Sequence, residues 1–427
     1  MDCFKVSGGR PLFGEVSASG SKNATLPLLA AGLLLEGEAQ LSPVPDLRDI
    51  DTICELLEQL GMRFHREGAV LRHQVVDDSV TTAPYDIVRR MRASICVLGP
   101  LLAKRGAAEV SLPGGCVFGL RPVDLHVRGL QALGAEITQE AGSLVGKAPA
   151  GGLRGAVIDL RSAFGSTVLG TINVMLGAVL AKGTSVIRSA AREPEVVEVA
   201  NYLNACGAQI EGAGGERIEI QGVTNLNAVP WQVPADRIET GTLLLAGAIT
   251  RGKVRVNQCR PLELTDLINR MRNSGLKMDQ GEDWIEVDAQ NVELHASNCE
   301  TAPFPGFPTD LQAQWMAYST QVQGTSQITD KVYPERFMHV PELQRLGANL
   351  ERKADTTLVH GPCELIGAPV LASDLRASAT LVLAGLIAKG ETTVRRVYHL
   401  DRGYQRLEQK LCGLGAKVER QVDVSKP

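Results

Sequence analysis

The chain has 427 residues, 44% of them hydrophobic and 22% charged, with a formal charge of −4; that balance is far from disorder and suits two substantial cores. Aromatic residues supply only 4%, so stacking platforms for bases are scarce and a large nucleic-acid partner is disfavoured. Nine cysteines without a Cys-x-x-Cys pair fit neither a disulfide framework nor a thiolate zinc site, and point to a reducing cytosol. The opening Met1-Asp2-Cys3-Phe4-Lys5 lacks the basic-then-apolar form of a signal peptide. Apolar runs are broken by Gly or charge before the length of a membrane span, about 18 residues. A cytoplasmic chain with no membrane contact is expected.

In chain order, the first candidate element is "SGSKNATLPLLAAGLLL", Ser19 to Leu35, where Ser21, Lys22 and Asn23 lead into an apolar helical run. Such a start offers backbone N–H groups and Lys22 to a phosphate; ordinary capping beside a solvated lysine is the other reading. In "VRRMRAS", Arg89, Arg90 and Arg92 cannot all face one way on a helix. Arg92, beside the small Ala93 and Ser94, has room for a ligand, against the alternative of a solvated helix end. "SLPGGCVFGLRPVDLH", Ser111 to His126, combines Gly114, Gly115 and Gly119 with Pro113, Pro122, Cys116 and Arg121. It reads either as a hinged lid whose Arg121 favours a thiolate at Cys116, or as a surface turn with an incidental cysteine.

Further on, "FPTDLQAQ" sets Asp310 at a helix start and "ASDLRASAT" sets Asp374 and Arg376 beside another. Helix capping is the reading such aspartates must beat. Glu335 and Arg336 in "VYPERFMH" and Arg402 in "YHLDRGYQRLE" add charge at further junctions. The histidines at 126, 339 and 399 never approach His-Glu-x-x-His spacing, so no metal is expected.

Two landmarks recur six times. Apolar runs end at Gly37, Gly106, Gly183, Gly252, Gly324 and Gly390, with a period of about 70 residues; a second helical pattern ends at Gly61, Gly134, Gly207, Gly275, Gly347 and Gly415, always 23 to 28 positions later. Each copy reads as a helix stopped by a left-handed glycine, a strand, a second helix stopped likewise, and paired strands. The fold class is therefore α/β with internal repeats, while a dinucleotide fingerprint is absent from "VSGGRPLFG" and a Rossmann domain is disfavoured.

The segments "GSKNATLPLLAA", "MRASICVLGP", "SLPGGCVFGLRPVDLH", "AAREPEVV", "DRIETGTLLLAGAI", "FPTDLQAQ", "ERFMHVPEL", "DLRASATLVLAG" and "YHLDRGY", in this order and spacing, resemble the UDP-N-acetylglucosamine 1-carboxyvinyltransferases of the enolpyruvyl transferase family from end to end. The resemblance implies a two-domain inside-out α/β barrel of six repeated units, three per domain. Residues 1–21 and 234–427 would form one discontinuous domain and residues 22–233 the second, carrying the Cys116 loop, with the active site in the cleft between them. It implies transfer of the enolpyruvyl group of phosphoenolpyruvate to a hydroxyl of UDP-N-acetylglucosamine for peptidoglycan synthesis. No cofactor, nucleic acid, membrane or obligatory protein partner is implied.

Carried over by position, the resemblance makes Cys116 the loop cysteine of phosphoenolpyruvate chemistry and the target of fosfomycin. Lys22, Arg121 and Arg402 hold phosphate and carboxylate, and Arg92 belongs to the same basic region. Asn23 and Asp310 contact the amino sugar, with Asp310 accepting the hydroxyl proton, and Asp374 and Arg376 flank the reacting carbon. Arg121, Asp124 and His126 meet uridine and diphosphate; Gly165, Val332 and Arg336 complete the substrate-binding set. Two departures stand out: Pro334 occupies the position of the family's usual Glu, with Glu335 one step later, and Ala163-Phe164-Gly165 replaces Ser-Val-Gly. Alternatives are enolpyruvyl transfer to shikimate phosphate or another nucleotide, and a catalytically silent nucleotide-sugar sensor.

Overall fold

The computed structural model describes residues 2–112, 123–162 and 165–422. One copy of the repeat shows the plan: helix Val168–Ala178, strand Thr184–Arg188, helix Pro194–Ala205, then strands Gln209–Glu211 and Arg217–Gln221. Thr184–Arg188 pairs antiparallel with Arg217–Gln221 and parallel with Val157–Asp159, making a four-stranded sheet. Six four-stranded sheets of this kind, and one two-stranded sheet, occur among the described residues.

Sequence pattern decides which layer faces inward. Strands alternate, as where Ile218 and Ile220 are buried between more exposed neighbours, so one face is apolar and the other meets water. The first helix of a repeat is buried nearly all round, as are all residues from Ile238 to Ile249 and all of Gln312–Ser319, whereas the second, such as Arg48–Gln59 or Thr265–Asn273, keeps a polar side outward. A helix without a polar face must be enclosed, so within each unit the first helices fill the interior and the sheets form the outside.

The chain divides into two compact units, Met1–Ser19 with Ala235–Pro427, and Gly20–Pro234. Each has its own hydrophobic core, one running from Ala24 to Val233 and the other from Phe4 through Val418. The first unit depends on the N-terminal strands. Asp2–Ser7 lies between Glu391–Arg395 and Lys417–Val422, antiparallel to both, and Phe13–Ser17 runs parallel to Lys253–Asn257. At the ends of this unit Asp236 N donates to Ser19 O at 2.8 Å, and in the other unit Ser21 N donates to Pro234 O at 2.7 Å.

All but one of the landmark glycines take positive φ, from 72° at Gly106 to 107° at Gly207. Gly252 is the exception. There Arg251 makes the left-handed turn at φ 58°, and the glycine is needed for space, because a Cβ would lie 1.9 Å from Leu12 O. No helix among the described residues is long and apolar enough to cross a membrane.

Candidate active-site residues

In the discontinuous unit three residues far apart in sequence meet at one carboxylate. Asp310 sits in the 3-10 turn Thr309–Leu311 that leads into Gln312–Ser319. Its Oδ1 accepts from Arg336 Nη1 and its Oδ2 from Arg376 Nη2, both at 2.7 Å. The two arginine side chains are 9% and 4% exposed, whereas Asp310 is 26% exposed. The guanidiniums are thus the buried backing of a carboxylate that still reaches solvent. Burial opposes the charge on Arg376, but the Asp310 carboxylate, followed by Tyr404 and Asp236, outweighs it and raises its pKa. Arg336 is shifted upward in the same way, with Asp310 and Asp374 overcoming burial.

Capping and turn chemistry hold this clamp. Asp374 is the N-cap of Leu375–Gly385, its Oδ1 accepting from Arg376 N at 2.8 Å and Ala377 N at 3.1 Å. Asp374 thus caps this helix, and the cap aims the first turn that carries Arg376. Fully buried Asp330, absent from the sequence-based candidates, does as much. It ends strand Gly324–Asp330 and accepts from Thr309 Oγ1 at 2.7 Å, Thr301 Oγ1 at 2.7 Å, Val332 N at 3.0 Å and Tyr333 N at 2.7 Å. Val332 thus contributes a backbone bond to the turn before Arg336. Pro334 and Glu335 are exposed on that turn. Arg402 ends the 3-10 segment Val397–Arg402 and is half-buried.

In the continuous unit, Ser21 caps Lys22–Ala31 by accepting from Ala24 N at 3.2 Å. Lys22 Nζ lies 3.5 Å from Asp49 Oδ2, with side chains 12% and 6% exposed, and Asn23 is half-buried on the same first turn. Arg92 opens the 3-10 helix Arg92–Val97. Asp124 opens Asp124–Ala132 and is exposed, while His126 two residues on is 3% exposed. Burial, then the charge of Arg92, lowers the His126 pKa to about 3, keeping the ring neutral. Gly165, at φ 86°, accepts through its carbonyl from Ser162 Oγ at 2.7 Å. Cys116, Arg121, Ala163 and Phe164 lie outside the described residues. No cluster of His, Cys, Asp and Glu among the described residues could hold a metal ion.

In the discontinuous unit a clamped, partly exposed carboxylate backed by arginines suits a polarised hydroxyl, and in the continuous unit a lysine at a helix start suits an anionic group. The model of the family EPSP synthase (3-phosphoshikimate 1-carboxyvinyltransferase) matches residues 6–411. The chain belongs to this carboxyvinyltransferase family. The solved enolpyruvyl transferase NikO from Streptomyces tendae superposes with a TM-score of 0.88 at 25% identity, covering 98% of this chain and 99% of that one. A UDP-N-acetylglucosamine 1-carboxyvinyltransferase of Pectobacterium atrosepticum is 50% identical over 421 residues, 98% of this chain and 99% of the relative. One from Yersinia pestis is 51% identical over 425 residues, with the same coverage. Within the family the chain groups with these UDP-N-acetylglucosamine 1-carboxyvinyltransferases.

Proposed function

We infer that the protein transfers the enolpyruvyl group of phosphoenolpyruvate to the 3′-hydroxyl of UDP-N-acetylglucosamine, releasing phosphate, as the first committed step of peptidoglycan precursor synthesis. Likeness along almost the whole chain to transferases of that description supports the acceptor. The observation that carries the chemistry is the Asp310 carboxylate held between Arg336 and Arg376. A cytoplasmic setting is supported by the eight described cysteines, all of them free thiols.

In this reading the acceptor oxygen bonds to C2 of phosphoenolpyruvate while C3 takes up a proton, giving a tetrahedral adduct that still bears phosphate. Loss of phosphate from C2 and of a proton from C3 then leaves the enol ether. The sequence needs a base for the hydroxyl and an acid for C3. Asp310 serves as the base. The two guanidiniums fix the plane and aim of its carboxylate, which at 26% exposure is open to an approaching hydroxyl. Cys116 serves as the acid, and Lys22, Arg92, Arg121 and Arg402 balance the phosphate and carboxylate charges. Asn23, Asp124, Gly165, Val332, Arg336, Asp374 and Arg376 orient or support the acceptor.

The test is phosphate release from phosphoenolpyruvate with UDP-N-acetylglucosamine or shikimate phosphate as the sole acceptor. Release with the nucleotide sugar alone is expected. Release with shikimate phosphate alone overturns the reading, and tight nucleotide-sugar binding without release assigns the chain a sensing role.

A further inference from the structure

The buried side chain of Asn173, in the middle of Val168–Ala178, is fully exposed to no solvent and fully used. Its Nδ2 donates to Ile95 O at 3.0 Å and lies 3.0 Å from His126 Nδ1, and its Oδ1 accepts from Gly99 N at 2.7 Å. A carboxamide has two N–H donors and a carbonyl acceptor, and all are engaged here. Because both donors sit on Nδ2, His126 Nδ1 is the acceptor and its proton is on Nε2. That tautomer agrees with the neutral ring that burial and Arg92 enforce.

The partners are what give this amide its meaning. Ile95 belongs to the 3-10 helix that Arg92 opens, and Gly99 lies in the first turn of the helix that follows, Leu98–Arg105. His126 lies in the first turn of Asp124–Ala132. One side chain therefore fixes the segment bearing Arg92 against the helix start bearing Asp124. Gly99 shows how close the approach is: a Cβ there would lie 2.2 Å from Asn173 O and 2.6 Å from Asn173 Oδ1.

We propose that Asn173 is a positioning residue for anion binding, holding the Arg92–Val97 segment and the neutral His126 ring in one register so that Arg92 is presented to the anionic substrate. The role rests on the reading of Arg92 given above. It differs from direct contact: His126 supports the site through Asn173, and neither side chain touches phosphoenolpyruvate.

The test is a double-mutant cycle on the full chain with Asn173→Asp and Arg92→Ala. The aspartate has the same shape and keeps an acceptor for Gly99 N, but it has no N–H for Ile95 O or His126. If Asn173 acts through Arg92, Asn173→Asp raises the phosphoenolpyruvate KM by about ten-fold and adds nothing to that KM once Arg92 is alanine. Effects that multiply in the double variant, or no change in Asn173→Asp, overturn the proposal while leaving the Arg92 reading intact. An unchanged KM in Arg92→Ala defeats that reading and this inference with it. Should Asn173→Asp fail to fold, Asn173→Ser, which also gives up the reach to Ile95 and His126, takes its place in the same cycle with the same criteria.

Discussion

Arg376 Nη2 lies 2.7 Å from Asp310 Oδ2, across 66 positions of sequence. Arg336 closes on the other oxygen at the same distance, so the carboxylate has a fixed plane before any substrate arrives. Two consequences follow for substitutions at Asp310.

Asp310→Asn keeps an acceptor for one arginine and the volume of the side chain, but it removes the lone pair that takes the hydroxyl proton. Turnover is expected to fall by at least about 100-fold, with acceptor affinity changed only a few-fold, since the lost interaction belongs to the transition state. Single-turnover kinetics with binding measured separately checks this. Chemistry at the native rate would remove Asp310 from the role of base.

Both substitutions remove the charge that balances two buried guanidiniums, and breaking such a pair costs about 3 kcal/mol or more; Asp310→Ala also removes the one oxygen that Asp310→Asn still offers to an arginine. Thermal melting should therefore show a lower midpoint for the alanine variant than for the asparagine one. Adding Arg376→Met should restore part of the difference. A midpoint unchanged in Asp310→Ala would mean that the clamp adds nothing to stability.

Buried His73 has no hydrogen-bond partner for either ring nitrogen among the described residues, and burial lowers its pKa from 6.5 to about 4. Above pH 6.5 the ring is neutral folded and unfolded, so it has no effect on stability. Between 6.5 and 4 the unfolded chain binds a proton that the folded chain refuses, and stability falls as pH falls, by roughly 3 kcal/mol at most. His126, with its pKa near 3, adds to the same acid limb. His73→Phe, able to stack on Phe64 as His73 does at 5.8 Å between ring centroids, should flatten that limb. Urea midpoints followed from pH 7 to pH 4.5 provide the measurement, and parallel curves for the two proteins would refute it.

Cysteine labelling separates Cys116 from its competitors. Burial raises the thiol pKa of Cys54 and Cys96 to about 12 and of Cys206 and Cys259 to about 11, which leaves almost no thiolate at neutral pH. Cys412 is the exposed thiol among the described residues and is therefore the natural control. Fosfomycin should modify the Cys116 peptide with parallel loss of activity and spare Cys412, and UDP-N-acetylglucosamine should change the rate. Peptide-resolved mass spectrometry decides; inactivation that follows modification of Cys412 would defeat the assignment. Cys116→Asp, still an acid, should keep activity and resist the reagent, whereas Cys116→Ser should be far less active.

The repeats were legible because a glycine at positive φ is a local requirement, written at each turn regardless of what the turn packs against. Gly252 shows the limit: its spacing matched the other copies, but its reason is the approach of Leu12, 240 residues earlier. Asp310 and Arg376 were legible as helix-start residues and through family resemblance, although nothing in their spacing tells that they touch. Asp330 and Asn173 were not legible. Asp330 stands at the end of a strand, where an aspartate is ordinary turn chemistry, and its partners Thr301 and Thr309 lie on other segments. Asn173 stands in a largely buried helix, and a polar residue there shows its purpose only when Ile95, Gly99 and His126 are found around it.

The pairing of Asp2–Ser7 with Glu391–Arg395 and Lys417–Val422 has a consequence for synthesis. A ribosome makes the first of these strands long before either partner, so Asp2–Ser7 must wait, unpaired, until Glu391–Arg395 and Lys417–Val422 have emerged. The Gly20–Pro234 unit has no such wait, since all of its strands are present once Pro234 has emerged. The topology therefore lets the Gly20–Pro234 unit close while the rest of the chain is still being made, whereas the discontinuous unit can close only once Val422 has emerged.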